Sequence, residues 1–232
     1  MRRLVGLAVL GLLLLAPALT AQQTDRRPLT LADYGDWSRI TGTTLSPDGR
    51  WLAWVEDPNE GDATLQVREL DGETVHEGMN ASDLAFSSDA QWVAYLSAPP
   101  EEEAEALREE RKPVPQVLHL IDLSSGVRTE EGGVRAFSFS EDGTHLALHK
   151  TRPDGEAEHT GSDLLLRDLE NGTMLAFGNV SEYGFDETSE HLAYLVDADG
   201  EAGNGLYLVA LGEGRIRSVD SGPYRYEDLI WS

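Results

Sequence analysis

Four stretches of the chain repeat one order of apolar and polar positions. Each opens with a large apolar residue, passes through a polar turn of the Ser-Pro-Asp-Gly type, and continues as an apolar run with a central alanine. The stretches are 45–54, 86–95, 139–148 and 185–194, with the alanines Ala53, Ala94, Ala147 and Ala193. A turn followed by a short run that is apolar throughout predicts a hairpin that leads into a buried strand.

A second apolar run follows each of these strands, and a pair of turn residues closes it. The runs end at Leu70, Leu123, Leu169 and Leu211, and the pairs are Asp71-Gly72, Ser125-Gly126, Asn171-Gly172 and Glu213-Gly214. Such pairs reach positive φ at little cost and close hairpins. One more short segment follows each pair, so every repeat contains four predicted strands.

The spacing of the repeats predicts the fold. The stretches begin at Leu45, Phe86, Phe139 and Phe185, so they lie 41, 53 and 46 residues apart, which is the length of a four-stranded propeller blade. A blade packs between two neighbours, so both faces of its middle strands are buried and their sequences are almost entirely apolar. The repeated alanine leaves room for a large side chain of the adjacent blade. The sequence therefore predicts an all-β fold, a partial β-propeller.

The same pattern predicts the domain boundaries. We expect a signal peptide at 1–21, a lead-in segment at 22–40, an incomplete propeller at 41–232, and blades at about 41–79, 80–133, 134–179 and 180–225. Residues 226–232 reproduce the opening of a fifth repeat, with Trp231 in the place of Phe185, so we expect the sequence to stop inside the propeller. The charged insertion 98–116 is rich in Glu, Ala, Leu and Arg between prolines, and it predicts a short exposed helix or a mobile excursion between two strands.

The amino terminus has the features of a secretory signal. Arg2 and Arg3 precede an apolar run from Leu4 to Leu15, and small residues at Ala18 and Ala21 offer cleavage sites. The run is too short to span a membrane comfortably. We therefore expect cleavage, export to the periplasm or the cell exterior, and no membrane attachment afterwards.

Charge and cysteine content exclude several classes of partner and chemistry. The 232 residues contain 42 acidic against 18 basic side chains, a formal net charge of -24, and such a surface repels nucleic acid. There is no cysteine, so disulfides, thiolate metal sites and a cysteine nucleophile are all excluded.

No catalytic, cofactor-binding or metal-binding residue is predicted in the chain. The Gly-x-Ser-x-Gly nucleophile motif and the glycine-rich phosphate-binding motifs do not occur. The region from Asp197 to Glu201 resembles the start of a calcium loop, but Ala202 and Leu208 stand where glycine and glutamate are needed, so a polar hairpin loop is favoured. No two of the six histidines have the sequence spacing of paired metal ligands. These histidines are His76, His119, His145, His149, His159 and His191.

Two segments carry a resemblance to a known family. Residues 28–37 run into Gly42-Thr-Thr-Leu-Ser-Pro-Asp-Gly-Arg-Trp51, and the insertion starts Ala98-Pro-Pro-Glu-Glu-Glu and is followed by Leu120-Ile-Asp-Leu123. These residues resemble the start of large secreted bacterial serine peptidases of the prolyl oligopeptidase family. The likeness covers nearly all of the chain after the signal. The Ser-Pro-Asp-Gly repeat alone is unspecific, because Tol-associated propeller proteins share it.

The resemblance implies a function for the propeller. In that family a propeller caps an α/β-hydrolase domain that carries a Ser-Asp-His triad, and it admits short or unfolded peptides while excluding folded proteins. No catalytic position of the family has a counterpart here, so the triad is expected beyond Ser232. The implied partners are peptide substrates and the hydrolase domain, and no cofactor is implied.

Two alternatives remain open at the level of sequence. One is a periplasmic binding or scaffold propeller of the Tol-associated type, without enzymatic activity. The other is a complete small propeller of four or five blades, which the partial fifth repeat at Trp231 disfavours. A Gly-x-Ser-x-Gly element downstream in the gene would favour the peptidase.

Overall fold

A computed structural model describes residues 28–35, 37–152, 159–201 and 203–231. The predicted signal peptide, residues 1–21, lies outside the described residues. Residues up to Tyr34 belong to a unit of their own, where the Asp33 carboxylate accepts hydrogen bonds from the backbone N–H and hydroxyl of Thr30 and begins a single 3-10 turn, Leu31–Asp33. Within the described residues there is no helix of the length and apolar character that a membrane span requires.

The unit from Gly35 onwards contains all of the described strands, in antiparallel meanders. The first sheet contains four strands, β1 (Ser38–Leu45), β2 (Trp51–Pro58), β3 (Thr64–Glu69) and β4 (Val75–Met79). The second sheet also contains four, β5 (Ala81–Phe86), β6 (Trp92–Ser97), β7 (Val117–Asp122) and β8 (Arg128–Gly132). The third sheet has seven strands, β9 (Val134–Phe139), β10 (His145–Lys150), β11 (Ser162–Asp168), β12 (Met174–Phe185), β13 (His191–Val196), β14 (Gly205–Ala210) and β15 (Arg215–Ser221). The predicted all-β propeller architecture is therefore confirmed.

The seven-stranded sheet is two blades joined through β12, a feature that the sequence pattern did not predict. The first half of β12 pairs with β11, for example Leu175 with Leu166, and its second half pairs with β13, for example Tyr183 with Tyr194. The change of partner occurs around Asn179, which has a positive φ of 55°. The edge strand of the third blade thus continues directly into the first strand of the fourth.

The hydrophobic core lies between blades rather than within them. Three clusters of buried side chains each combine residues of two successive blades. At the first of these seams, Trp51 and Val67 of the first blade pack with Tyr95 and Ile121 of the second. The four repeated alanines are at most 3% exposed, as expected for small residues covered by a neighbouring blade. Each fully buried Leu or Val contributes about 1.5–3 kcal/mol, so the seams supply most of the apolar stabilisation.

The Ser-x-Asp-Gly turns are closed by side chains that bind the backbone. The Ser46 hydroxyl donates to Asp48 at 2.6 Å and accepts the N–H of Trp51 at 2.9 Å, while the Asp48 carboxylate accepts the N–H of Arg50 at 3.0 Å. The turns at Ser87 and Ser140 repeat these contacts. The hydrogen bond from Ser46 is the main cause that lowers the pKa of Asp48.

The charged insertion contains the predicted helix, α1 (Glu101–Glu109). The Asp62 carboxylate, in the loop between β2 and β3, accepts the N–H of Glu101 at 2.8 Å. Ala104 is fully buried, so the helix is not exposed on all sides as a solvent-facing excursion would be. The acidic first turn is favourable because it faces the positive end of the helix dipole. The insertion is therefore tied to the first blade.

Residues that follow β15 lie beside the second half of β12. The Glu182 carboxylate accepts the N–H groups of Asp228 and Leu229 at 3.2 and 2.9 Å, and the Trp231 indole N–H donates to the carbonyl of Gly184 at 3.1 Å. Residues 226–231 form no regular strand.

The Ser-x-Asp-Gly turns lead to a stability prediction. In each turn, the third residue after the first turn residue (serine in the first three repeats, aspartate in the fourth) has a positive φ, even where it is not glycine. This residue is Gly49 in the first repeat, with φ 73°, and Ala90 in the second, with φ 55°. A non-glycine residue there costs about 1–2 kcal/mol. We expect Ala90→Gly to raise the free energy of unfolding by about 0.5 kcal/mol, because the greater flexibility of glycine in the unfolded chain offsets part of the gain.

Urea unfolding at pH 7 measures this change, and Gly49→Ala is the matched control. No heavy atom lies within 4 Å of the position of an added Cβ at Gly49, so the added methyl meets no clash. Backbone strain, offset in part by the lower entropy of the unfolded chain, gives an expected loss of about 0.5 kcal/mol. A lower stability for Ala90→Gly would contradict the prediction.

Candidate functional site

The first strands of successive blades border a groove, which we call the inner groove. It lies between β5 and β9, has a volume of about 670 Å³, and is lined by residues of these two strands and of the turns beside them. Its apolar lining includes Phe86, Phe137 and Phe139, and the last two rings contact edge to face with centroids 6.3 Å apart. Asp83, Arg135 and Glu141 add charges to the lining. The groove therefore combines aromatic contact surface with both signs of charge.

A bulge in each first strand interrupts the ladder. The pairing with the second strand shifts between Thr41 and Thr44 in β1, between Ser82 and Ala85 in β5, between Ala136 and Val134 in β9, and between Val180 and Glu182 in β12. Bulges release residues from pairing and redirect their side chains, often beside functional sites. In β5 the released residues include Asp83, which has a φ of 48°. In β9 the released residue is Arg135. Both line the inner groove.

Arg135 is held by a buried histidine. One guanidinium nitrogen of Arg135 lies 3.0 and 3.2 Å from the two ring nitrogens of His149, which is only 4% exposed. The Nε2–H of His149 donates to the carbonyl of Val180 at 2.9 Å, and the ring of Tyr183 lies edge-on to it at 5.4 Å. This network links the first strands of the third and fourth blades. Burial, and next the Arg135 charge, lower the pKa of His149.

Two further histidines, His76 and His145, serve packing and turn closure. His76 stacks on Trp51 with ring centroids 5.6 Å apart. The backbone N–H of His145 donates to the Ser140 hydroxyl at 2.9 Å, which closes that turn. Within the described ranges, no group of three or more His, Asp or Glu side chains is arranged to hold a metal ion.

Asp197 ties the loop after β13 to the residues that precede β11. Its carboxylate accepts hydrogen bonds from the backbone N–H and the hydroxyl of Thr160 at 2.6 and 2.8 Å. Asp197 is only 6% exposed, and burial acts to raise its pKa, but the hydrogen bonds from Thr160 and the nearby charge of Arg225 act against burial and the pKa is lowered. The loop connects β13 to β14, as a hairpin loop does.

Comparison with solved structures establishes the fold. The chain is similar to the β-propeller domain of the Trilobed protease from Pyrococcus furiosus, with a TM-score of 0.50 and 14% identity over 80% of this chain and 58% of that one. It is also similar to an acylaminoacyl peptidase from Pyrococcus horikoshii, with a TM-score of 0.48 and 12% identity over 81% of this chain and 33% of that one. A third similar structure is TolB from Acinetobacter baumannii, with a TM-score of 0.41 and 13% identity over 79% of this chain and 44% of that one. No protein-family model and no curated protein sequence matches the chain.

The similarity to the Pyrococcus furiosus propeller domain confirms the predicted propeller architecture. The chain spans a little over half of the Pyrococcus furiosus domain, at 58%. At 14% identity the similarity shows architecture and not activity.

The buried state of His149 generates a prediction on pH. Because its pKa in the folded protein lies below the value of about 6.5 in the unfolded chain, the unfolded state binds more protons just below pH 6.5. Stability is therefore complete above pH 6.5 and falls as the pH decreases towards the folded pKa, by at most about 1.4 kcal/mol per pH unit for one histidine. We expect His149→Gln to reduce this slope between pH 7.5 and 5.5.

The measurement is the free energy of unfolding in urea at several pH values. Glutamine can still donate to the Val180 carbonyl, so the variant removes the titration while keeping a donor. Parallel stability curves for the wild type and His149→Gln would contradict the assignment.

Proposed function

We propose that this chain is the substrate-gating propeller of a secreted serine peptidase of the prolyl oligopeptidase family. The catalytic triad would belong to an α/β-hydrolase domain, whose nucleophile motif does not occur in these 232 residues. The propeller fold, the similarity to the propeller of a protease, and the resemblance of residues 28–51 and of the insertion support the proposal. Export rests on the signal-like pattern of the first 21 residues.

The bulged first strands carry the proposal. A regular strand presents only alternate side chains to one side, whereas a bulge turns extra side chains out of the ladder. Here the bulges recur in all four first strands, and in β5 and β9 they place Asp83 and Arg135 in the lining of the inner groove. Side chains that line first strands can select by width and by charge what passes along them. That is the property a gate requires.

The aromatic lining of the inner groove suits an unfolded peptide. Phe86, Phe137 and Phe139 are all partly exposed, so they can contact apolar side chains of an extended chain. Aromatic rings supply a large contact area at low entropic cost. A folded protein would keep such side chains buried and would have no equivalent contact to make.

The experiment uses the complete polypeptide encoded by the natural gene. Cleavage of a short fluorogenic peptide is compared with cleavage of the same sequence embedded in a folded protein, and a fluorophosphonate identifies the reactive serine. We expect cleavage of the free peptide only, by a serine outside residues 1–232. A natural protein without a hydrolase domain or any peptidase activity would overturn the proposal in favour of a binding propeller.

Arg135→Glu in that protein tests the groove itself. We expect KM to rise several-fold for acidic peptides and to fall several-fold for basic ones, because one exposed charge interaction is worth up to about 1 kcal/mol. The value of kcat is expected to stay the same, since Arg135 is not part of a triad. The control is Arg217→Glu, which makes the same charge change on the exposed strand β15. Equal effects of the two variants would show that the groove does not select peptides.

A further inference from the structure

A second pocket, which we call the seam pocket, lies between the first and second blades. It has a volume of about 500 Å³ and is separate in its lining from the inner groove. Its polar lining comes from Glu77 of β4, Ser97 of β6, His119 of β7 and Arg128 of β8, and Tyr95 of β6 also borders it. The function proposed above uses none of these side chains.

The strand register places a serine, a histidine and a glutamate in one row. His119 pairs directly with Tyr95 on one side and with Glu130 on the other, and Ser97 follows Tyr95 by two residues on the same face of the blade. The Ser97 hydroxyl lies 2.8 Å from Nε2 of His119, and the Glu130 carboxylate lies 3.2 Å from Nδ1. These are the contacts of a nucleophile, a general base and a group that orients the base.

The protonation of His119 suits a base. Burial is the largest cause that lowers the pKa of His119, and the Glu130 charge opposes it only in part, so the imidazole is neutral at pH 7.5. The carboxylate favours the tautomer with the proton on Nδ1, which leaves Nε2 to accept the Ser97 hydrogen. Glu130 is within ion-pair distance but is not aligned for a hydrogen bond with Nδ1. Catalytic hydrogen bonds commonly tighten only when substrate is bound.

The hydroxyl of Tyr95 supplies an independent indication of a ligand. Tyr95 is 1% exposed, and its Oη finds no hydrogen-bond partner among the described residues. A buried donor without an acceptor costs about 1–3 kcal/mol, so an unpaired one needs an explanation. Space for the phenol exists because residue 78 is glycine, since a Cβ there would lie 2.5 Å from Oη. Burial raises the pKa of Tyr95, which keeps it protonated as a donor.

Arg128 adds a positive charge to the same pocket. Its guanidinium donates to the backbone carbonyl of Glu77 at 2.5 Å. A phenol donor and a guanidinium that line the same pocket as a nucleophile are suited to stabilise the oxyanion that forms during acyl transfer. The carboxylates of Glu77 and Glu130 disfavour an anionic substrate.

We infer that the seam pocket is an acyl-transfer site in which Ser97 is the nucleophile and the substrate is a small, uncharged ester. Ser97 Oγ bonds to the ester carbonyl carbon while its proton moves to Nε2 of His119. The bond to the alkoxy oxygen then breaks, and this proton leaves with the alcohol. Water attacks the acyl-serine, gives one proton to His119, and releases the acid as the proton returns to Ser97. Nothing is oxidised or reduced, and water is the only co-reactant.

The test is covalent labelling of the full chain with a fluorophosphonate at pH 7.5, in which Ser97 Oγ would displace fluoride from phosphorus. Mass spectrometry of the digested protein locates the adduct. We expect labelling at Ser97, no adduct at this site in Ser97→Ala, and labelling at least tenfold slower in His119→Gln. Ser218→Ala on the exposed strand β15 is the matched control, and its labelling should equal that of the wild type.

Tyr95→Phe separates a role in catalysis from a role in packing. The variant loses only the hydroxyl, so a folded protein with unchanged or higher stability is expected. Labelling of Ser97 and hydrolysis of 4-nitrophenyl acetate should each be at least tenfold slower. If the folded wild type gives no adduct at Ser97, or if His119→Gln is labelled as fast as the wild type, the inference is wrong. A peptidase serine elsewhere in the natural protein would be mapped to a different peptide, so this result is independent of the proposed gating function.

Discussion

The whole structure depends on covering both faces of each blade. A four-stranded sheet whose middle strands carry apolar residues on both faces cannot be stable with one face in water. The chain meets this constraint by stacking blades, and each of its three hydrophobic clusters draws side chains from two successive blades. The small alanine in each second strand is what allows the sheets to approach. The turns then only have to reverse the chain, and they do so with side-chain bonds to their own backbone.

The same constraint separates two kinds of polar surface. Residues of the first strands border the inner groove, where Asp83 and Arg135 can be charged without burial. Polar groups in a seam are buried by the neighbouring blade, and there each unpaired donor or acceptor lowers stability by about 1–3 kcal/mol. The third seam satisfies this requirement, because His149 bonds to Arg135 and to Val180. The first seam does not fully satisfy it, because Tyr95 Oη has no partner in the described part of the chain.

The sequence predicts those features that a local pattern determines. Turns with Ser, Asp and Gly, apolar runs and the blade-length spacing gave the strands, and the composition of the insertion predicted α1. The bulges were missed because a bulge needs only one residue outside the ladder, and Asp83 and Arg135 look like ordinary polar strand residues. The joined sheet was missed because Asn179, where the partner changes, resembles any loop asparagine. Ser97, His119 and Glu130 belong to three different strands, so no motif connects them until the strand register is known.

The contrast between the first and third seams bears on what a buried polar cluster is for. If Ser97 and His119 served only to pack blades, apolar residues of similar size would do so without the cost of desolvating a hydroxyl and an imidazole. Conversely, a cluster retained for chemistry is expected to be incompletely satisfied in the absence of its ligand, because the ligand supplies the missing acceptor. In the first seam, Tyr95 Oη is left without a hydrogen-bond partner among the described residues. In the third seam, His149 has hydrogen-bond partners in Arg135 and Val180. The unsatisfied phenol is therefore a stronger argument for chemistry at the first seam than the serine–histidine contact alone, since hydrogen-bonded pairs also occur where packing is their only role.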